Sequence, residues 1–452
     1  MKNTLNKITV INLLFIFFGI SSLYSQPVTN EQYKEGLKLD ENMLEERTDH
    51  NMFEVKDRIN PADSNTLFLR ITNVNLFHNL ELFNYIENGY TLFGYWLRPE
   101  LVYYPTSNTM ISAGVNLLKY DGRPYYTQVY PTFKFQYTIN ENISMLMGTL
   151  YGSQNHEMIE PFYNFERELG VDYEKNYTVN NTTILDISTN VENGFEFLAK
   201  YPRFKGDAWL SWEQFIYRFD PWKEKFCAGI TTKTYLTDPA SKLVINIPFQ
   251  FLANHAGGQE TESYLPAKDY EYSTIMDFAL GLSVNYKIDK KFFKSVGCNV
   301  YGALCWDVSP KPDSLLNPNI LSGTALYVIS YLNTSWINFS LSFWNADRFV
   351  APRGDPMYQS ISTETVYPYN TTNATVPQYL YVVRRDLIVP RIYIHHQIAK
   401  GIELGAAYQS YIDVVKSQPQ QLGETYDFYY SLYIVFKGDF RIHKFKPIVF
   451  EN

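Results

Sequence analysis

The chain has 452 residues, of which 19% are charged and 17% aromatic, with 38 Tyr and 31 Phe. Its formal net charge is -8, becoming -10 if Lys2 and Lys7 leave with a signal peptide, which argues against a general nucleic-acid binder. Tyrosine in this abundance suits surfaces that are half apolar and half wet, as at a membrane interface.

Residues 1–25 read as a secretory signal. Lys2 and Lys7 form a positive start, ITVINLLFIFFGI (8–20) an apolar core, and Ser25 a small residue before the cut. No cysteine lies near that cut, so a lipoprotein is not expected. Nothing later approaches 18 consecutive apolar residues, which excludes a helical membrane protein. Cys227, Cys298 and Cys305 have no metal-binding spacing, and a disulfide framework is not expected from an odd number. Cys298 and Cys305 would face opposite sides of a shared strand.

Residues 26–66 are polar and charged, with a short helix suggested around DENMLEERTDHNMFEVKDR (40–58); they read as a periplasmic leader or a plug. From Leu67 the period becomes two. In GYWLRPELVYYPTSN (94–108), Gly94, Trp96, Arg98, Glu100 and Val102 share one face, and Tyr95, Leu97, Leu101 and Tyr103 share the other. Pro99 is the awkward residue, since it brings no ladder donor. Thr127, Val129, Phe133, Phe135 and Tyr137 share a face with Pro131. Leu243, Ile245, Ile247, Phe249 and Phe251 alternate with Val244, Asn246, Pro248 and Gln250. Ile337, Phe339, Leu341 and Phe343 alternate with Asn338, Ser340 and Ser342, and near the end Phe428, Tyr430, Leu432, Ile434 and Phe436 form a last apolar face.

About sixteen such segments of roughly 10 to 15 residues are expected, with about fourteen as the alternative, a length that suits tilted membrane-spanning strands. Their connections alternate. Tight turns fall at 105–108, 140–142, 202–206, 237–240, 289–293, 333–335 and 399–401. Wider connections fall between them at 78–89, 120–124, 152–181, 220–224, 254–272, 308–320, 345–378 and 414–425. Such parity predicts an all-β fold: a transmembrane antiparallel up-and-down β-barrel over 67–438, with short periplasmic turns, long external loops and a tail at 439–452.

The stretch FHNLELFNYIENGYTLFGYWLRPELVYY (77–104), placed after a signal peptide and followed by hairpins of this kind, resembles outer-membrane β-barrel proteins of the Bacteroidota. The resemblance covers most of 67–440 in style and spacing, and implies residence in the outer membrane with porin-like or complex-associated roles. One departure is the KGDFRIHKFKPIVFEN that follows Phe436, where barrel chains often end on an aromatic.

Hydrocarbon solvates no charge, so charged strand residues should face the lumen. That nominates Arg70, Arg98, Glu100, Lys134, Glu196, Lys200, Asp207, Glu213, Lys233, Asp277, Arg391, Glu403 and Lys437 as pore-lining. Both signs occur, which fits a diffusion pore as readily as a salt-bridged interior. HEMIEPFYNFERELG (156–170) reads plainly as a solvated loop; folded inward, its His156, Glu157, Glu160, Glu166 and Arg167 would constrict the pore. HEMIE is not a zinc-protease motif, because Glu160 stands where the second His is needed. Arg348, Arg353 and Asp355, in the longest loop, are further constriction candidates, and the RGD at 353–355 is read as chance. No GxSxG, P-loop, GxGxxG or CxxC is present, so neither an enzyme nor a cofactor is expected. The expected function is passive passage of small hydrophilic solutes. The alternative is a non-conducting barrel that docks a complex partner; outer-membrane lipid is the expected surrounding, and homo-oligomerisation stays open.

Overall fold

The computed structural model describes residues 59–84, 86–164, 177–179, 182–185, 191–217, 224–257, 272–288, 290–308, 322–366, 378–415 and 424–446, with residues 45, 46, 48 and 52. The expected signal peptide, most of the leader with its suggested helix, and Glu166 and Arg167 lie outside the described residues. No described helix is long and apolar enough to cross a membrane.

The strands are β1 (Thr66–Glu81), β2 (Thr91–Thr106), β3 (Thr109–Tyr120), β4 (Gln128–Asn140), β5 (Ile143–Thr149), β6 (Tyr177–Val179), β7 (Thr182–Leu185), β8 (Asn193–Tyr201), β9 (Phe204–Gln214) and β10 (Lys225–Tyr235). They continue as β11 (Leu243–Ala256), β12 (Ser273–Lys287), β13 (Phe293–Asp307), β14 (Ser322–Thr334), β15 (Ile337–Asp347), β16 (Ile361–Val366), β17 (Gln378–Tyr381), β18 (Arg384–Ala399), β19 (Ile402–Asp413) and β20 (Tyr426–Lys444). Sixteen of them close into one antiparallel barrel in chain order, while β6–β7 and β16–β17 form separate two-stranded sheets within wide connections. Tight and wide connections alternate, although the wide β3–β4 connection (121–127) is no longer than the tight β10–β11 one (236–242). β2 and β3, for example, are two residues apart, whereas β5 and β8 are separated by residues 150–192.

The sequence builds this barrel because its strands are inside-out relative to a soluble sheet. In β11, Val244, Asn246, Pro248, Gln250, Leu252 and Asn254 are buried toward the lumen, and the intervening Leu243, Ile245, Ile247, Phe249 and Phe251 face outward. In β2, Trp96, Arg98, Glu100, Val102 and Tyr104 are buried, while Phe93 and Leu101 are exposed on the outer face. Cys305 is buried on the inner face of β13 and Cys298 lies on its outer parity; neither they nor Cys227 form a disulfide.

Prolines mark interruptions of the ladder. Pro99 pairs with Ile71 of β1, but the β2–β3 pairing passes from Leu97–Leu117 directly to Glu100–Gly114 in the same register. Pro248 pairs with Lys233, and the β11–β12 pairing skips from Asn246–Ser283 to Phe249–Leu280. Pro390 repeats the pattern between β18 and β19. A residue without an N–H is tolerated where one neighbour makes no demand on it.

The last strand exceeds its expected limit. β20 runs to Lys444, and Asp439, Phe440, Arg441, His443 and Lys444 pair with β1 back to Thr66. Most of the supposed tail's first residues are therefore the seam of the barrel, reinforced where Arg70 Nε donates to Asp439 at 2.8 Å. Charged side chains at the tight-turn end sit in the aqueous interfacial zone, which is why the strand continues past the apolar stretch. Deleting 439–452 is expected to prevent closure, seen as loss of the heat-modifiable folded band; a truncated chain that still migrates as folded protein would contradict this.

Candidate functional site

Two stretches of the wide connections fold into the lumen and occupy part of it. In residues 150–164, Leu150, Tyr151, His156, Ile159, Phe162 and Tyr163 are buried. In residues 349–360, Phe349, Arg353, Asp355, Met357, Tyr358 and Gln359 are buried, and Asp355 caps the 3-10 turn Pro356–Tyr358 by accepting from Met357 N. The two segments are stitched together: Asn164 N donates to Arg353 O at 2.7 Å, Asp355 N to Glu160 O at 3.1 Å, and Gln359 Nε2 to Pro161 O at 3.0 Å. Phe162 stacks on Phe349 at 5.7 Å. Gly354 lies so close to Pro161 O that a Cβ would have no room, which gives the glycine of the RGD a packing role.

The polar partners of these segments are the inward charges of the strands. His156 is fully buried, its Nδ1 2.7 Å from Asp207 and its Nε2 3.0 Å from Glu192, and its ring stacks on Trp209 at 3.6 Å. Burial works against a charged ring here, but the two carboxylates outweigh it and hold the imidazole pKa well above its ordinary value. Glu157 bridges Lys205 and Lys233, and the two lysines hold its carboxyl well below the carboxylate range despite its burial. Lys233 also meets Glu45 of the leader. Arg391 takes Glu160 at 2.6 Å and Glu46 of the leader at 3.2 Å. Arg353 joins Glu213 and Asn254, with the Tyr163 ring 5.9 Å away.

All thirteen residues expected to line the lumen lie on the inward parity of their strands. Arg98 pairs with Glu100 at 3.0 Å, and Lys134 sits over the Tyr151 ring at 4.0 Å. Glu196 accepts from Tyr151 N at 3.3 Å. Lys200, Glu403 and Lys437 lie near the tight-turn end, with Glu403 accepting from Tyr393 at 3.3 Å. Asp277 is fully buried, and neither carboxylate oxygen has a hydrogen-bond partner among the described residues. Of the loop candidates, His156, Glu157, Glu160, Arg353 and Asp355 come together in the lumen. Arg348 stands apart, paired with its neighbour Asp347 at 2.6 Å where both are substantially exposed.

A second constellation lies outside, at the external end of the wall. Trp212, Phe226, His255 and Thr274 are successive register partners across β9, β10, β11 and β12, all on the outward parity, with Trp212 exposed and Thr274 buried beneath its neighbours at 8% exposure. Thr274 Oγ1 is 2.7 Å from His255 Nδ1, and His255 Nε2 is 2.6 Å from Gly257 O. A carbonyl only accepts, so Nε2 carries the proton; Nδ1 is then the acceptor, and the threonine hydroxyl donates to it. The ring is braced by Phe226 at 4.7 Å and Tyr272 at 6.1 Å. This is a hydroxyl, a base and an orienting acceptor in line. Sequence reasoning passed over it, although a histidine following Leu243, Ile245, Ile247, Phe249, Phe251 and Ala253 on a lipid-facing parity is an anomaly that parity alone exposes.

Closed, antiparallel, apolar outside and polar within, the molecule is an outer-membrane β-barrel. A family model described as lipid A 3'-O-deacylase-type matches residues 59–445, and the chain belongs to that family. The expectation that the chain is not an enzyme is overturned by this membership. A barrel assembles its reactive groups from separate strands, so the lack of a contiguous catalytic motif could not exclude chemistry. No curated protein matches the chain. Among solved structures, a loop L8 deletion mutant of OmpT, an outer membrane protein of Vibrio cholerae, is similar at 9% identity and TM-score 0.44, covering 82% of this chain and 100% of that one. The outer membrane protein OprD of Pseudomonas aeruginosa is similar at 8% identity and TM-score 0.39, covering 85% and 97%. OccAB4 of Acinetobacter baumannii is similar at 10% identity and TM-score 0.41, covering 84% and 100%.

Proposed function

We propose that this barrel hydrolyses an acyl ester of an outer-leaflet lipid, with the 3'-O-acyl group of lipid A as the substrate its family description indicates. The observation that carries this reading is the Thr274–His255–Gly257 relay on the outward face. Trp212, Phe226 and Tyr272 surround it with rings of the kind that settle at the headgroup level of a bilayer. A lipid lying against the wall there brings its ester carbonyls to the height of the relay.

In the proposed reaction Thr274 Oγ1 attacks the ester carbonyl carbon while His255 Nδ1 takes the hydroxyl proton. Collapse of the tetrahedral adduct expels the sugar oxygen, which receives that proton from Nδ1 and leaves as an alcohol. Water, deprotonated by the same Nδ1, then cleaves the acyl-threonine to a free fatty acid and restores the hydroxyl. Gly257 O keeps Nε2–H engaged throughout, so the ring presents one nitrogen only.

Refolded protein in vesicles containing lipid A is expected to release one acyl chain per lipid, detected by mass spectrometry as a deacylated lipid and a free fatty acid. Folded barrel that leaves the lipid mass unchanged would rule the reading out.

A second reading, passage of small hydrophilic solutes, draws on a cavity of about 160 Å³ in the lumen. Glu45 and Glu46 of the leader line it on one side and Glu157 and Glu160 of the infolded loop on another, with Lys233 and Arg391 between. These ion pairs make the leader a plug in this reading. Planar-bilayer recordings are expected to show openings that become more frequent in a Glu45→Gln/Glu46→Gln variant; a barrel silent in both forms removes the channel.

A further inference from the structure

We propose that the lumen holds one divalent transition-metal ion on His156, Glu196 and Asp207. Each residue offers one ligand atom, all of these lie within 4.8 Å of one another, and all three side chains are buried. An imidazole with two carboxylates suits zinc, manganese or iron(II) rather than the all-oxygen shell of calcium.

Independent support comes from unsatisfied atoms. Glu196 is 0% exposed and its Oε1 has no hydrogen-bond partner; Asp207 is 7% exposed and its Oδ1 has none among the described residues. A buried carboxylate oxygen left unpaired is costly, so one on each of two carboxylates that share a cluster with an imidazole marks a place for a cation. The outer groups are arranged as metal sites require. Glu192 takes the His156 Nε2 side at 3.0 Å, and its other oxygen accepts from Tyr163. Stacking on Trp209 fixes the ring plane, and Tyr151 N holds the second oxygen of Glu196. His156 Nδ1 faces Asp207 Oδ2 at 2.7 Å, so an ion that replaces the ring proton also widens that approach by about 0.5 Å.

The competing arrangement is a protonated imidazole held between Asp207 and Glu192, with Lys134 near Glu196 and no metal. The two differ over Glu196, which makes no hydrogen bond to His156. As an ion site, the cluster staples the infolded loop to β8 and β9; as a proton-only triad, Glu196 is dispensable to it.

The test uses the refolded full chain, equilibrated with micromolar zinc sulfate, dialysed and assayed by plasma mass spectrometry, with cobalt(II) absorption as a second readout. One zinc per chain and visible cobalt bands are expected. Glu196→Gln, isosteric and checked for folding by heat-modifiable mobility, is expected to weaken zinc retention at least about 100-fold, and Glu192→Gln by about 10- to 100-fold. Asp207→Asn supplies the same test from the neighbouring strand if Glu196→Gln does not refold. Wild-type protein that retains no zinc, cobalt that shows no protein-dependent bands, or a Glu196→Gln variant that binds like wild type would each overturn the proposal.

Discussion

Replacing His255 with alanine is expected to cut ester release from lipid A by about 1000-fold or more, with the barrel still folded. Thr274→Val should do the same, because the hydroxyl is the attacking group in the proposed reaction, whereas Thr274→Ser should retain activity. The fold should survive, since these side chains face away from the lumen and lie at the end of their strands. Histidine substitution removes the 2.7 Å contact to Thr274 and the 2.6 Å contact to Gly257 O, neither of which ties loop to wall. His156→Asn provides the contrast. His156 was the histidine that the sequence brought forward, but both its nitrogens are engaged by carboxylates and its side chain is inaccessible. Its loss should loosen the infolded segment while leaving the rim chemistry in place. A His255→Ala enzyme with wild-type turnover would refute the rim assignment, and a His156→Asn enzyme that is folded but inactive would move the chemistry into the lumen.

What the sequence made legible was whatever the bilayer imposes locally. Lipid on one face forces the alternation of Leu243 through Phe251 and sends Arg98 and Glu100 inward, and both can be read from parity. The alternation of tight and wide connections is likewise a property of contiguous residues. What stayed hidden depends on register across long connections. His255 and Thr274 meet only because β11 and β12 pair across residues 257–272, and no local pattern fixes that alignment. Glu192, which completes the surroundings of His156, lies 36 residues beyond it at the end of the same connection. The seam was hidden for a related reason. Charged residues after Phe436 look like the end of a membrane strand, and only their pairing with Arg70 and its neighbours shows that the ladder continues.

Arg391 should be the most costly single charge to remove. It is 5% exposed, and it joins three parts of the molecule: the wall strand β18 that carries it, Glu160 of the infolded loop and Glu46 of the leader. Burial pushes the Glu46 carboxyl above its ordinary range, with Arg391 as the main opposing influence. Arg391→Met keeps the stem but leaves two carboxylates facing each other without a counter-ion, a loss of about 3 to 5 kcal/mol. The effect should appear as a lower urea midpoint for unfolding of the refolded barrel and as faster protease cleavage after Glu46. Most of that loss is the cost of stranding charges, so Arg391→Met combined with Glu160→Gln should recover a large part of it, a non-additivity that independent sites would not give. A double variant no more stable than Arg391→Met alone would mean that the three-way junction does not hold the interior together, and that hydrophobic contacts such as Phe162 on Phe349 carry the infolded loop instead.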